Sequence, residues 1–176
     1  MEIVVESNVS AQEYFDFILS TYDSDLEANN LTRADLKKGL KFDKVIHVGA
    51  HKTELSSLKV THYKYPSIIE VEYTASKGIS LLRYECKSLT ENTCEVRYTE
   101  TAYDENHKPI EQKGFMANQS IKKRKKALNQ IGDYLIQEKE KKAKEEAKAL
   151  EQQEDVQEAK EEVKENTPEH KGFFKK

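Results

Sequence analysis

The order in which hydrophobic patterns change along the chain constrains its fold more than any single residue does. A short strand pattern comes first, and two helix-like segments follow it. A run of alternating strand patterns comes next, and then one long helical stretch that begins near Gly114. Alternating strands make an antiparallel sheet with one wet face and one apolar face. The apolar face has to be covered, and a late helix is the element available to close it. This order is a fold signature and names no reaction.

The individual segments support it. Ile3-Val4-Val5-Glu6-Ser7 is rich in β-branched residues and reads as a strand. Ser10-Ala11-Gln12-Glu13 is a capping box, in which the Ser hydroxyl and the Glu carboxylate each satisfy an amide of the first turn. Behind it Tyr14, Phe15, Ile18, Leu19, Tyr22 and Leu26 fall on one helical face. Thr32-Arg33-Ala34-Asp35 is a weaker cap that opens a short helix through Leu36, with Gly39 as its stop.

Strands follow. Val45, Ile46 and Val48 mark a short one. The expected inward faces of the next four are Leu58, Val60 and His62; Ile69, Val71 and Tyr73; Leu82, Tyr84 and Cys86; and Cys94, Val96 and Tyr98. Tyr65-Pro66, Ser76-Lys77-Gly78 and Thr90-Glu91-Asn92 are turns, and 104–109 form a polar loop. The closing helix carries Ile121, Leu128, Ile131 and Leu135 on one stripe.

Composition divides the chain. It has 176 residues, 36% hydrophobic and 35% charged, with a formal net charge of -3. From Gln137 onward large apolar residues almost vanish and Lys, Glu, Gln and Ala dominate. Residues 1–136 are therefore expected to be the globular domain, and 137–176 a charged helical or disordered tail that frays toward Thr167-Pro168. No apolar run approaches the roughly 18 residues of a membrane span. Met1-Glu2-Ile3-Val4-Val5 is too short and acidic for an export segment, so a cytoplasmic location is expected.

These elements together resemble domain of unknown function 3284, a bacterial family, and with it the SRPBCC-like helix-grip superfamily of START, polyketide cyclase and Bet v 1 proteins. The residues that carry the resemblance are the opening strand with 8–18, Val71-Glu72-Tyr73-Thr74, Leu82-Arg83-Tyr84-Glu85, Thr93-Cys94-Glu95-Val96-Arg97-Tyr98, and the basic helix Ile121-Lys122-Lys123-Arg124-Lys125-Lys126. It covers the region before Gln137. It implies an α+β helix-grip fold: a curved antiparallel sheet of about six strands, two short N-terminal helices, a long C-terminal helix, and a cavity between sheet and helix. It supplies no catalytic residues.

Tyr73, Tyr84 and Tyr98, with His62, are the candidate ligand-binding residues. Ring faces, a few hydroxyls and an imidazole suit a pocket that orients an apolar molecule. The same residues also suit a filled core whose Tyr hydroxyls reach the rim or a partner. His47 and His51 lack the further ligands of a metal site and are expected to face solvent. Cys86 and Cys94 are expected to be small buried thiols. The basic run 122–126 has no interleaved aromatic platform, and it reads either as a solvated face or as a site for phosphate-rich partners.

No nucleophile motif, P-loop or dinucleotide fingerprint is present, so neither a cofactor nor catalytic residues are expected. The near-balanced charge gives no argument for nucleic acid. The leading expectation is non-enzymatic binding of an apolar or amphipathic small molecule. One alternative is an interaction module working through its charged C-terminal arm, where Phe173 and Phe174 beside Lys175 and Lys176 suit weak attachment to a membrane or a partner. An enzyme of the cyclase or hydrolase type using the same cavity is the third.

Overall fold

The computed structural model describes residues 1–47, 53–75, 78–104, 106–110 and 115–165. Within them it places the side chains of all but 46–47, 75, 115–116 and 149–165. His51, Phe173, Phe174 and the Thr167-Pro168 stop lie outside the described residues.

Strand β1 (Glu2–Ser7) leads into helix α1 (Ala11–Ser20), helix α2 (Asp23–Ala28) and a single 3-10 turn at Arg33–Asp35. The capping box forms: the Glu13 amide donates to Ser10 Oγ at 3.2 Å, and the Ser10 amide donates to Glu13 Oε2 at 3.0 Å. One face of α1 is buried through Ala11, Tyr14, Phe15, Ile18 and Leu19. The second cap also forms, with the Thr32 amide donating to Asp35 at 2.9 Å, but it starts only the 3-10 turn. Gly39 follows at φ 93°, a left-handed conformation that costs glycine little.

The strands come next: β2 (Lys41–His47), β3 (Thr53–Lys64), β4 (Ile68–Ala75), β5 (Gly78–Ser88), β6 (Cys94–Tyr103) and the two-residue β7 (Pro109–Ile110). All pairings are antiparallel, in the order β1-β6-β5-β4-β3-β2. β7 pairs with Ala102 and Tyr103 of β6, beyond the stretch that β1 occupies, so the polar loop expected at 104–109 returns to the sheet.

Register aligns the inward residues in rows across the strands. One row holds Tyr63, Ile69, Tyr84, Tyr98 and Ile3, the next Val60, Val71, Leu82 and Glu100. The outward face carries ion pairs instead, with Arg83 bridging Glu70 and Glu85, and Arg97 bridging Glu2 and Glu95.

Helix α3 (Phe115–Glu165) closes the sheet. Contacts divide the chain into two units, Met1–Ile136 and Gln137–Lys176. In the first, Leu128 is 2% exposed, and Ile121, Ile131, Leu135 and Ile136 pack against the same core as Leu58, Val60, Val71 and Val96. The Tyr14 hydroxyl donates to the Leu128 carbonyl at 2.7 Å, and the Phe17 and Tyr134 rings lie 5.6 Å apart, which ties α1 to α3. Gly132 lets the end of β1 come close, because a Cβ there would sit 2.3 Å from Ser7 Oγ. In the second unit the helix runs to Glu165, and the side chains of 139–148 are exposed. No helix among the described residues is long and apolar enough to cross a membrane.

Candidate ligand-binding site

Three of the four candidate residues lie together on the inward face. Tyr84 and Tyr98 are register partners, and their rings stack at a tilt of 56° with centroids 4.9 Å apart. Tyr73 stands on the neighbouring strand, and its hydroxyl lies 3.5 Å from that of Tyr22, at the junction of α1 and α2. Tyr98 is fully buried, whereas Tyr73 and Tyr84 keep part of their surface accessible, as does Leu82 between them. This end of the inward face contrasts with Leu58, Val60, Val71 and Val96, which are completely covered.

His62 is not among them, and the expectation that it shares a face with Leu58 and Val60 is corrected here. A β-bulge after Val60 shifts the register by one residue. His62 pairs with the outward-facing Glu70 and is exposed. Tyr63 takes the inward position and packs near the Phe15 ring at 6.5 Å. Because side chains alternate with a period of two, one extra residue exchanges the faces of all that follow.

Two charged residues complete the inward end. The Tyr98 hydroxyl donates to Glu100 Oε2 at 2.7 Å. The Arg124 guanidinium lies 4.9 Å from the centroid of the Tyr98 ring and 3.7 Å from Glu100 Oε2. A cation over a ring face is drawn to its negative quadrupole. Glu100 and Arg124 also line a pocket of about 400 Å³, together with Met1, Ser120, Lys123 and Ala127.

The tyrosines resist ionisation. Burial pushes Tyr73 up to about 12, partly offset by its hydrogen bond with Tyr22 and by the charge of Arg124. Burial raises Tyr84, against the pull of Arg124. Tyr98 is raised by burial and further by its bond to the Glu100 carboxylate. These phenols therefore act at neutral pH as hydrogen-bonding walls and not as bases. Cys86 and Cys94 are free and buried, and burial lifts them to about 12 and about 11.

Sequence reasoning missed Tyr22, Glu100 and Arg124. Glu100 continues the inward parity of Val96 and Tyr98, so a carboxylate at that position was itself a signal. Arg124 lies three residues after Ile121 and four before Leu128, which puts it on the apolar stripe. Its place within the basic run 122–126 concealed that position. Among the described residues no group of three or more His, Cys, Asp or Glu side chains is gathered as a metal site requires.

An open, curved antiparallel sheet closed by a long C-terminal helix, with two short helices after its first strand, is the helix-grip fold of Bet v 1-like proteins. The crystal structure of Ara h 8.0201 is similar at TM-score 0.53 and 11% identity, over 78% of this chain and 97% of that one. The di-domain ARO/CYC StfQ from the steffimycin biosynthetic pathway is similar at TM-score 0.51 and 11% identity, over 80% of this chain. The match covers 46% of StfQ, so the chain spans less than half its length. Likeness at this identity establishes the fold alone. By sequence, residues 1–121 match Domain of unknown function (DUF3284), and the chain belongs to that family. No curated protein matches it.

Proposed function

We propose that the domain binds an apolar or amphipathic small molecule between the sheet and α3, without catalysing a reaction on it. Tyr73, Tyr84 and Tyr98 form the aromatic wall. The observation that carries this reading is the partial exposure of Tyr73, Leu82 and Tyr84 at inward positions. A core that needed only to be filled would cover them, as it covers Val71 beside Leu82, Ile69 beside Tyr84 and Leu58 beside Tyr73. Aromatic faces with a few hydroxyls offer large contact area at low entropic cost and still orient a polar group. The fold of the chain, shared with Ara h 8.0201 and StfQ, sets a long helix over a curved sheet, which supports a site between the two.

Native mass spectrometry of protein purified from its host tests the proposal. The expected result is a retained small molecule, released on denaturation and lost or exchanged when Tyr84 is changed to Leu. Protein that carries no adduct and takes up no apolar probe would remove the proposal.

A further inference from the structure

We infer that Arg124, with Lys123 beside it, is the anchor for a single anionic group on the bound molecule, so that the ligand class is an amphipathic organic acid. The inference rests on the binding proposal above and adds the charge of the ligand to it.

Three observations lead there. First, Arg124 occupies a position on the apolar stripe of α3, between Ile121 and Leu128, where a leucine would pack. Its side chain is 40% exposed, so the stem lies along the stripe while the guanidinium stays open to a ligand. Second, its donors are underused. Its salt bridge to Glu100 is long, at 3.7 Å, and its other contact is the face of the Tyr98 ring. The rigid fork of a guanidinium is suited to two parallel bonds with a carboxylate, phosphate or sulfonate. Third, the charges around the pocket do not cancel. Lys123, Arg124 and the Met1 ammonium, which donates to the Glu100 carbonyl at 2.6 Å, are positive, and Glu100 supplies one carboxylate, which already accepts from Tyr98 at 2.7 Å. The excess is positive, which favours an anionic head group.

The geometry also orients the molecule. The pocket of about 400 Å³ opens beside Ser120, Lys123 and Ala127, and Glu100 and Arg124 connect it to the Tyr84–Tyr98 pair. A head group held at Arg124 directs an apolar body toward Tyr84 and Leu82, which are only half-buried.

Two fluorescent probes of similar apolar body separate the effects: anionic 8-anilinonaphthalene-1-sulfonate and neutral N-phenyl-1-naphthylamine. Both are titrated into the full chain, into Arg124→Gln and Arg124→Lys, and into Lys123→Gln. The expected result is that Arg124→Gln weakens the anionic probe by about tenfold or more. The neutral probe should stay within about twofold, since only a charge-assisted contact is lost. Arg124→Lys should fall between, because it keeps the charge and loses the fork. Raised salt should weaken the anionic probe alone. Equal loss of both probes, or equal retention of both, in Arg124→Gln overturns the anchor and leaves the binding proposal standing. Failure of the unmodified chain to bind either probe overturns both.

Discussion

The Tyr98 hydroxyl donates a 2.7 Å hydrogen bond to the carboxylate of Glu100, two residues further along the same strand. The two side chains point to the same face because alternate residues of a strand do. Tyr98 has no exposed surface, so the bond satisfies a phenol that would otherwise be orphaned in the core. Changing Tyr98 to Phe should destabilise the domain by about 1–2 kcal/mol, read from urea unfolding. A change below about 0.3 kcal/mol would mean the hydroxyl finds water as readily as Glu100.

The pH dependence follows from the same tyrosines. Tyr14, Tyr22, Tyr73, Tyr84 and Tyr98 are all raised above the ordinary tyrosine value, in each case mainly by burial. Their folded values lie above the unfolded one, so the unfolded chain loses these protons first as pH rises. Their contribution to stability is complete below about pH 10 and is lost progressively above it. For Tyr73 the loss extends to its folded value of about 12. Phenolate absorbance from these five on alkaline titration should therefore appear only together with loss of the near-ultraviolet circular dichroism. Early, reversible ionisation of all nine tyrosines in the folded chain would contradict the burial.

Leu128 tests the closing helix. Its side chain is 2% exposed and its carbonyl accepts from Tyr14. Leu128→Ala should cost about 2–5 kcal/mol through the cavity it leaves. Leu128→Asp should cost more, because it buries an unpaired charge. An unchanged melting temperature in the Asp variant would show that the stripe is not packed.

Gly132 and Ser7 form a coupled pair. Alanine is favoured over glycine inside a helix by about 1 kcal/mol, yet a Cβ at 132 would stand 2.3 Å from Ser7 Oγ. That hydroxyl is buried and has no hydrogen-bond partner among the described residues, so removing it should cost little. Gly132→Ala alone should bring no gain or a loss, while the double variant with Ser7→Ala should exceed the unmodified chain by up to about 1 kcal/mol. Simple additivity in a double-mutant cycle would show that the hydroxyl is no obstacle.

The bulge in β3 makes an opposite forecast for two residues of the inward and outward faces. His62→Ala should leave both stability and neutral-probe binding unchanged, within about 0.5 kcal/mol, as an exposed outward residue does. Tyr84→Leu should weaken the neutral probe severalfold, because its half-buried ring forms part of the proposed aromatic wall. Reversal of the two effects would place His62 on the inward face.

Much of the fold was legible in the order of patterns. The capping box at Ser10 and Glu13, the alternation in Ile69-Val71-Tyr73 and Cys94-Val96-Tyr98, and the stripe Ile121-Leu128-Ile131-Leu135 are local signals, and each set its element and its buried face. Local periodicity suffices there because a residue's direction follows from its neighbours along the same element.

What only the tertiary structure decided lies where that local rule breaks or where two elements meet. Period-two reading carried His62 inward with Val60, but the bulge turned it outward and brought Tyr63 in its place. No run of β3 residues announces that extra step. Tyr22, Glu100 and Arg124 come from a helix junction, a strand and the closing helix, and they meet the tyrosines only once the sheet curves beneath α3. The sequence determined that a helix would cover an aromatic face. Packing decided that the cover carries a cation, because the direction of a side chain is a property of its element, whereas its company is a property of the fold.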